Sequence, residues 1–122
     1  MKYDLAAALQ AFKPGAQWVL RGSEYSGLEW MDQVQTQPTE AELQAKIDEL
    51  DAGEAARLLR IERDKRIAAC DWEVAKAYSK GEAVALELSA YMQALRDLPD
   101  TSTPALDASG QLDLASVTWP VR

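Results

Sequence analysis

Histidine is absent from this chain of 122 residues, and cysteine occurs once, as Cys70. Without histidine the chain lacks the usual general base near neutral pH and the commonest protein ligand for metal ions. A serine- or cysteine-centred catalytic triad therefore has no base, and a zinc site has too few ligands. A single cysteine also excludes an internal disulfide, which fits assembly in a reducing cytoplasm. We expect Cys70 to be a buried, inert thiol.

Long apolar segments and glycine-rich loops are also missing. No run of the sequence reaches the about 18 apolar residues that a membrane span requires. The apolar run near the N-terminus is short and is broken by Asp4 and Gln10, so we expect no signal peptide. The segment RGSEYSG has two glycines at the wrong spacing for a phosphate-binding loop. The sequence therefore predicts no catalytic residue, no cofactor site and no metal site, and we expect the chain not to be an enzyme.

The charge of the chain is strongly acidic. Twenty acidic residues against 13 basic ones give a formal net charge of −7. Such a chain repels phosphate backbones and anionic lipid, so we expect neither nucleic acid nor a membrane surface as a partner. The length suits one compact domain with a small appended element.

Residues 1–37 are predicted to form a small α+β unit. A short helix is expected from Lys2 to Phe12, ended by Pro14 and Gly15. Two runs rich in β-favouring residues follow at 17–22 and 25–31, and the glycine, serine and glutamate between them suit a hairpin connection.

Two tryptophans lie at matching places in this predicted hairpin. Trp18 and Trp30 are expected to pair across the strands and form a small apolar wall. They have two interpretations, as the core of the small unit or as docking anchors for a partner, and the first is favoured.

A long helix is predicted from residue 38 to about Cys70. Thr39 and Glu42 have the spacing of a capping box, and nothing after them breaks the helix firmly. A helix of about 30 residues is about 45 Å long, more than a chain of this size needs, so part of it is expected to project. Its apolar stripe suggests pairing with a partner or with copies of the chain, as in a coiled coil. The alternative is a solvated connector held by ion pairs such as Glu62 with Arg66. The stripe comprises Leu43, Ile47, Leu50, Leu58 and Ile61.

A second helix is predicted to fold back on the first. Lys80 and Gly81 give a turn signal, and the helix is expected from about Glu82 to Leu98, ended by Pro99. Residues 38–99 would thus form a helical hairpin, and residues 100–122 a flexible, extended tail. The predicted fold class is α+β and mainly α. The second helix has one apolar stripe, formed by Val84, Leu88, Tyr91, Leu95 and Leu98.

Three motifs in order resemble the tail-fibre assembly chaperones and related small tail proteins of tailed bacteriophages. They are ERDKRIAACDW (62–72), YMQALRDLP (91–99) and VTWP (117–120). The family pattern has an Arg-Asp pair, an Asp-Trp pair, a Tyr-centred second helix and a Val-x-Trp-Pro ending. Met92 and Leu88 depart from it, since arginine and tryptophan are usual there. The match covers roughly the C-terminal half of the chain.

The resemblance implies a tail protein that acts by binding and not by catalysis. The expected partner is a tail-fibre or receptor-binding protein, or a baseplate protein, and homo-oligomers, trimers among them, are compatible with it. Two forms stay open: a chaperone that works in the host cytoplasm and leaves, or a fibre-associated adaptor that stays on the virion tail. The alternative is a non-viral cytosolic interaction domain. The expected partner-binding residues are Trp72, Tyr91, Leu95, Arg96, Asp97, Val117 and Trp119.

Several contacts of these residues can be predicted. Trp72 is expected to pack on the apolar face of the second helix. Arg96 is expected to reach toward Asp71, and Asp97 toward Arg63; a solvated helix surface is the alternative. Val117 and Trp119 share a face in a β-like segment and so are expected to enter one groove. That groove belongs either to the chain's own N-terminal hairpin or to the partner, and the partner is favoured.

Overall fold

The computed structural model describes residues 3–122 of the chain. Within that range the chain is mainly α-helical with one two-stranded antiparallel sheet, so the predicted fold class is confirmed. Short 3-10 turns precede β2 and the C-terminal segment. In chain order the helices and strands are α1 (Leu5–Phe12), β1 (Trp18–Leu20), β2 (Leu28–Trp30), α2 (Glu40–Ala68), α3 (Asp71–Ser79) and α4 (Leu86–Thr101).

Helix α1 is short and is fixed at both ends by local sequence. Asp4 caps it, because its carboxylate accepts a hydrogen bond from the backbone N–H of Ala7 at 2.9 Å. The chain leaves the helix before Gly15, whose φ of 78° suits glycine. The predicted start at Lys2 lies outside the described residues. The inner face of α1 buries Ala8 and Leu9 completely.

The hairpin has the predicted pairing but shorter strands. Trp18 pairs directly with Trp30 in the antiparallel register. The expected strand from residue 25 begins only at Leu28, because Tyr25 lies in a 3-10 turn and its hydroxyl donates to the carbonyl of Pro38 at 2.7 Å. Both tryptophans pack on the core that α1 forms with the first turns of α2.

Helix α2 begins with the predicted capping box. The backbone N–H of Glu42 donates to the Thr39 hydroxyl at 3.1 Å, and the Glu42 carboxylate accepts from the Thr39 N–H at 3.3 Å. Leu43 is fully buried against α1, and Ile47 packs beside it. This part of the apolar stripe is therefore covered by the chain's own N-terminal unit and not left bare for a partner.

The second half of α2 pairs with α4 in antiparallel fashion. Leu59 of α2 packs on Leu98 near the end of α4, whereas Cys70, just after α2, packs on Leu88 and Met92 near the start of α4. The predicted helical hairpin is thus present, and Cys70 is buried as expected. The two departures from the family pattern, Leu88 and Met92, are core residues.

The connection between these helices differs from the prediction, because it contains a third helix. The chain from Asp71 to Ser79 forms α3, and α4 starts at Leu86 and not near Glu82. Helix α4 also continues through Pro99 to Thr101. Pro99 has no N–H to donate to the carbonyl of Leu95, and the helix ends two residues later, at Thr101.

The C-terminal tail is packed and not free, which corrects the prediction of a flexible tail. Residues 105–116 fold on themselves: Leu106 and Leu112 form an isolated antiparallel bridge, and Asp107 accepts three hydrogen bonds from Ser109 and Gln111. Val117 is then buried, at 6% exposure, between α2 and α4. In residues 3–122 no helix is both long and apolar enough to cross a bilayer.

Candidate partner-binding surface

The C-terminal segment, residues 117–122, lies along the pair of helices at three points. The first is Val117, which packs on Leu59 of α2 and Leu98 of α4. The second is Trp119, whose indole N–H donates to the carbonyl of Leu114 at 3.2 Å. The ring of Trp119 also receives the Arg66 guanidinium, with the central carbon 4.0 Å from the ring centroid.

The third point is an ion pair at the last residue. The Arg122 guanidinium donates to both carboxylate oxygens of Glu73 in α3, at 2.7 and 2.8 Å, and to Glu87 in α4 at 3.3 Å. The fork-like geometry is the strong form of an arginine–carboxylate contact. It lowers the pKa of Glu73 and raises that of Arg122, because each charged form is hydrogen-bonded to the other.

These contacts define the C-terminal groove, which is formed by Leu59, Arg66, Glu73, Glu87 and Leu98. Its bottom is apolar at one end and acidic at the other. The C-terminal segment runs parallel to α2, since it contacts residue 59 first and residue 73 last. It runs antiparallel to α4, since it contacts Leu98 first and Glu87 last.

Large apolar side chains are exposed beside this groove, on α3 and at the start of α4. Trp72 is 62% exposed and Leu86 is 87% exposed. Trp72 lines one open groove, the Trp72 groove, with Glu73, Lys76, Val84 and Leu88. Leu86 lines a second, the Leu86 groove, of about 740 Å³, with Asp71, Val74, Val84, Met92 and Arg96. Val84 borders both grooves.

The model of one protein family matches residues 56–122, more than half of the chain. Its description is phage tail assembly chaperone protein. The chain belongs to this family. Comparisons with curated proteins and with solved structures gave no significant match. The matched range begins inside α2 at Ala56 and contains α3, α4, the C-terminal groove and the segment that fills it.

Membership of the phage tail assembly chaperone family assigns the chain a role in phage tail assembly and implies a non-catalytic one. In residues 3–122 no group of three or more candidate metal ligands is present, and no buried polar side chain lacks a hydrogen-bond partner. The Cys70 thiol lies 3.6 Å from the carbonyl of Arg66.

The expected partner-binding residues are distributed over three environments in this chaperone-family fold. Leu95 is fully buried and Tyr91 packs on the core around Cys70. Val117 and Trp119 pack against the chain's own helices and not against the N-terminal hairpin. Trp72 faces solvent, so the expected packing on α4 is wrong. The residues that remain available at the surface are Trp72, Arg96 and Asp97.

The expected contacts between helices at Arg96 and Asp97 are also absent. Asp97 accepts a hydrogen bond from Gln93 at 3.0 Å, and Arg96 donates to the same glutamine at 3.4 Å. Arg63 binds its neighbour Asp64 at 2.9 Å. Arg96 and Asp97 therefore both bind Gln93, one turn away on the same helix, and neither reaches the other helix. This is what the alternative of a solvated helix surface predicts.

Three residues of the C-terminal groove, Leu59, Glu73 and Glu87, were missed by sequence reasoning, and so was Arg122 of the segment that fills it. Leu59 lies one position from the predicted stripe, and Glu73 lay in a segment that was predicted to be a connection. Arg122 carries one available signal, since it is a basic residue at the end of a strongly acidic chain.

Proposed function

We propose that this chain binds a tail-fibre or baseplate protein during phage tail assembly, through the exposed surface of α3 and the start of α4. It acts by covering a surface of that protein and not by catalysis. The host cytoplasm is the place of this step. The family match supports the assembly role, and the choice of partner and surface is our own inference.

The observation that carries the proposal is the exposure of Trp72 and Leu86, each of which lines one of two grooves that share Val84. Both residues lie in the range that the family model matches. Monomeric proteins rarely expose contiguous large apolar side chains without a binding function. Tryptophan is also the residue most enriched among those that dominate binding energy at interfaces.

Charged side chains at the same surface support a specific contact and not non-specific hydrophobic association. Lys76 lies over the Trp72 ring, with its ammonium 5.9 Å from the centroid, and Asp71 and Arg96 both border the Leu86 groove. Charged groups at the rim of an apolar patch fix the orientation of a partner and exclude wrong ones.

The test is the affinity of the chain for the tail-fibre protein of the same phage, measured by calorimetry. Trp72→Ala should weaken binding by about 2 kcal/mol or more, about thirtyfold, and change the free energy of unfolding by less than about 0.5 kcal/mol. The matched control is Phe12→Ala, because Phe12 is a partly exposed aromatic residue outside the family match. Binding that survives Trp72→Ala unchanged, or that falls equally with the control, rejects this surface. Absence of binding to both fibre and baseplate proteins rejects the proposed partners.

A second experiment separates a departing chaperone from a virion component. Mass spectrometry of purified particles should detect the chain in stoichiometric amounts if it remains on the tail as an adaptor. Its absence from particles, together with binding to the free fibre protein, indicates a chaperone that leaves.

Self-association stays a separate prediction. The part of the α2 stripe that remains at the surface is Ile61, 51% exposed, and Leu50 and Leu58 are half-buried. Sedimentation of the isolated chain as a monomer at tens of micromolar would exclude a stable homo-oligomer.

A further inference from the structure

We propose that the C-terminal groove is a peptide-binding groove, and that the chain's own C-terminal segment is its resident, displaceable occupant. The external ligand is an extended segment of the tail component, with an aliphatic residue, an aromatic residue two positions later and a basic residue three positions after that. This spacing is the spacing of Val117, Trp119 and Arg122. The inference rests on the proposed function, because it assigns the groove to the same partner.

The resident segment is attached in the manner of a ligand. Within the described chain, no hydrogen bond involves the main chain of residues 118–122, and the contacts are made by side chains alone. A strand or helix that is integral to a fold has its main chain paired. At the start of the segment the Val117 N–H donates to the carbonyl of Leu114 at 3.3 Å, and beyond it three side chains hold the segment. Another segment that presents the same three side chains can therefore take its place.

The groove also selects the chemistry and direction of what it holds. Leu59 and Leu98 form its apolar end, whereas Glu73 and Glu87 face the cation at the other end. In a chain of net charge −7, two carboxylates around one site favour a basic group. An incoming segment must therefore enter with its aliphatic residue near Leu59 and its basic residue near α3.

The position of the groove connects it to the surface proposed above. Glu73 pairs with Arg122 in the C-terminal groove and also lines the Trp72 groove. A partner segment that replaces residues 117–122 thus continues directly onto Trp72. One tail component can occupy both, with its extended segment in the groove and its body on α3.

Covering by the chain itself has a clear physical role. The tether gives the resident segment an effective concentration in the millimolar range, so the groove stays closed without a partner. The apolar side chains of Leu59 and Leu98 then remain hidden from other copies of the chain. A partner that also contacts Trp72 has additional binding energy with which to displace the tether.

The probe for this proposal is a fluorescently labelled synthetic peptide with the sequence of residues 113–122, DLASVTWPVR. It is titrated into the full-length wild-type chain and into the full-length Arg122→Glu variant, whose own segment is repelled by Glu73 and Glu87. Because the resident segment competes for the groove, the variant should bind the peptide at least about tenfold more tightly than the wild type does. A peptide with alanine in place of its tryptophan should bind the variant at least about tenfold more weakly.

Circular dichroism of the Arg122→Glu variant verifies that it keeps the helical fold. A second measurement, by nuclear magnetic resonance, is made on the wild-type chain. Excess peptide should shift the Val121 amide resonance of the wild type toward its position in the free peptide. Equal peptide affinity for both chains, or no binding to the variant and no shift in the wild type, overturns the proposal. A wild-type chain that sediments as a dimer and takes up no peptide assigns the groove to a second copy, and also overturns it.

These outcomes are independent of the proposed function, because no tail protein is present. A failed peptide titration with intact Trp72-dependent fibre binding removes only the groove. A failed fibre experiment with successful peptide exchange removes the proposed partner and leaves the groove.

Discussion

Arg66 lies between two partners, with Glu62 on one side and the ring of Trp119 on the other. Its Nε atom donates to the Glu62 carboxylate at 3.1 Å, and its guanidinium carbon lies 4.0 Å from the Trp119 centroid. An ion pair one turn apart on a helix is worth little by itself. Here the same guanidinium also lies over the Trp119 ring, so an ion pair within α2 contacts the C-terminal segment.

A double-mutant cycle measures this stacking. Trp119→Ala should lower the free energy of unfolding by up to about 3 kcal/mol, below the range for a fully buried tryptophan, because Trp119 is only partly buried. Arg66→Gln should have a smaller effect, and the coupling energy between the two should be about 0.5–1 kcal/mol. Urea denaturation of the four chains gives these values. Additive effects would mean that the stacked geometry contributes nothing.

Leu59 is expected to be more sensitive than its neighbour in the apolar stripe. It is 1% exposed and contacts both α4 and the C-terminal segment. Leu59→Ala should lower the free energy of unfolding by about 2–5 kcal/mol. Ile61→Ala is the control, because Ile61 is 51% exposed, and its effect should be near about 0.5 kcal/mol. Thermal and urea melts of both variants check this; a larger loss at Ile61 would contradict the packing described here.

Helices α1, α2 and α4 could be predicted because their signals are local. The capping box of Thr39 and Glu42, the turn at Gly81 and the stripe of α4 all lie within a few residues of the structure that they specify. The pairing of Trp18 with Trp30 follows for the same reason, since a short hairpin fixes its own register.

The face of α2 could not be predicted, because the helix serves two cores. Its buried side chains and the half-buried Ile47 are separated by multiples of four residues, at Leu43, Ile47, Ala55 and Leu59. At about 100° per residue each step of four turns by about 40°, so Leu43 and Leu59 point about 160° apart. A prediction that assumes a single apolar face continues from Leu43 to Leu58 and Ile61. It therefore misses Leu59, which lies on the other face.

The site was only partly predictable because its contacts join distant residues. Val117 and Trp119 lie in one groove, but nothing local in the sequence identifies Leu59 and Arg66 as its walls. The pair of Arg122 with Glu73 spans 49 positions of the sequence. The exposure of Trp72 could not be predicted either. Its side-chain direction is set by α3, and the sequence reasoning treated that segment as a connection.

Two glycines should respond in opposite ways to alanine. Gly53 lies in the interior of α2, and an added methyl group meets no atom within 4 Å. Gly53→Ala should therefore raise the free energy of unfolding by about 0.5–1 kcal/mol, through a less flexible unfolded chain and better helix propensity. A destabilised Gly53→Ala variant would show that α2 needs flexibility at this position.

Gly27 is the matched opposite case, in the turn before β2. A methyl group there would collide with the backbone carbonyl of Arg21, whose own N–H donates to the Gly27 carbonyl at 2.9 Å. Backbone atoms cannot yield as a flexible side chain does, so Gly27→Ala should lower the free energy of unfolding by more than about 1 kcal/mol. Urea denaturation followed by tryptophan fluorescence reports the change, since Trp18 and Trp30 lie in this hairpin.

The attachment of the C-terminal segment should depend on pH through Glu73. The Arg122 guanidinium hydrogen-bonds the Glu73 carboxylate and so holds the pKa of Glu73 below its ordinary value of 4.5; Lys76 adds to this effect. A carboxylate with a lowered pKa in the folded state contributes stability that is fully present above the unfolded value and is lost as the pH falls through the folded value. Arg122 stays charged throughout this range. The segment should therefore remain attached above about pH 4.5 and loosen below it.

The measurement is the chemical shift of the Val121 amide between pH 7 and pH 3. Many other carboxylates titrate in the same range, so the control is Glu73→Gln, which cannot lose a charge there. The wild-type resonance should move toward the position for a free segment as the pH falls, whereas the variant should start nearer to that position and move less. Glu87, the other carboxylate at Arg122, is unchanged in both chains. An equal change of the Val121 shift with pH in the two chains would show that Glu73 does not hold the segment. The attachment of Arg122 would then depend on Glu87.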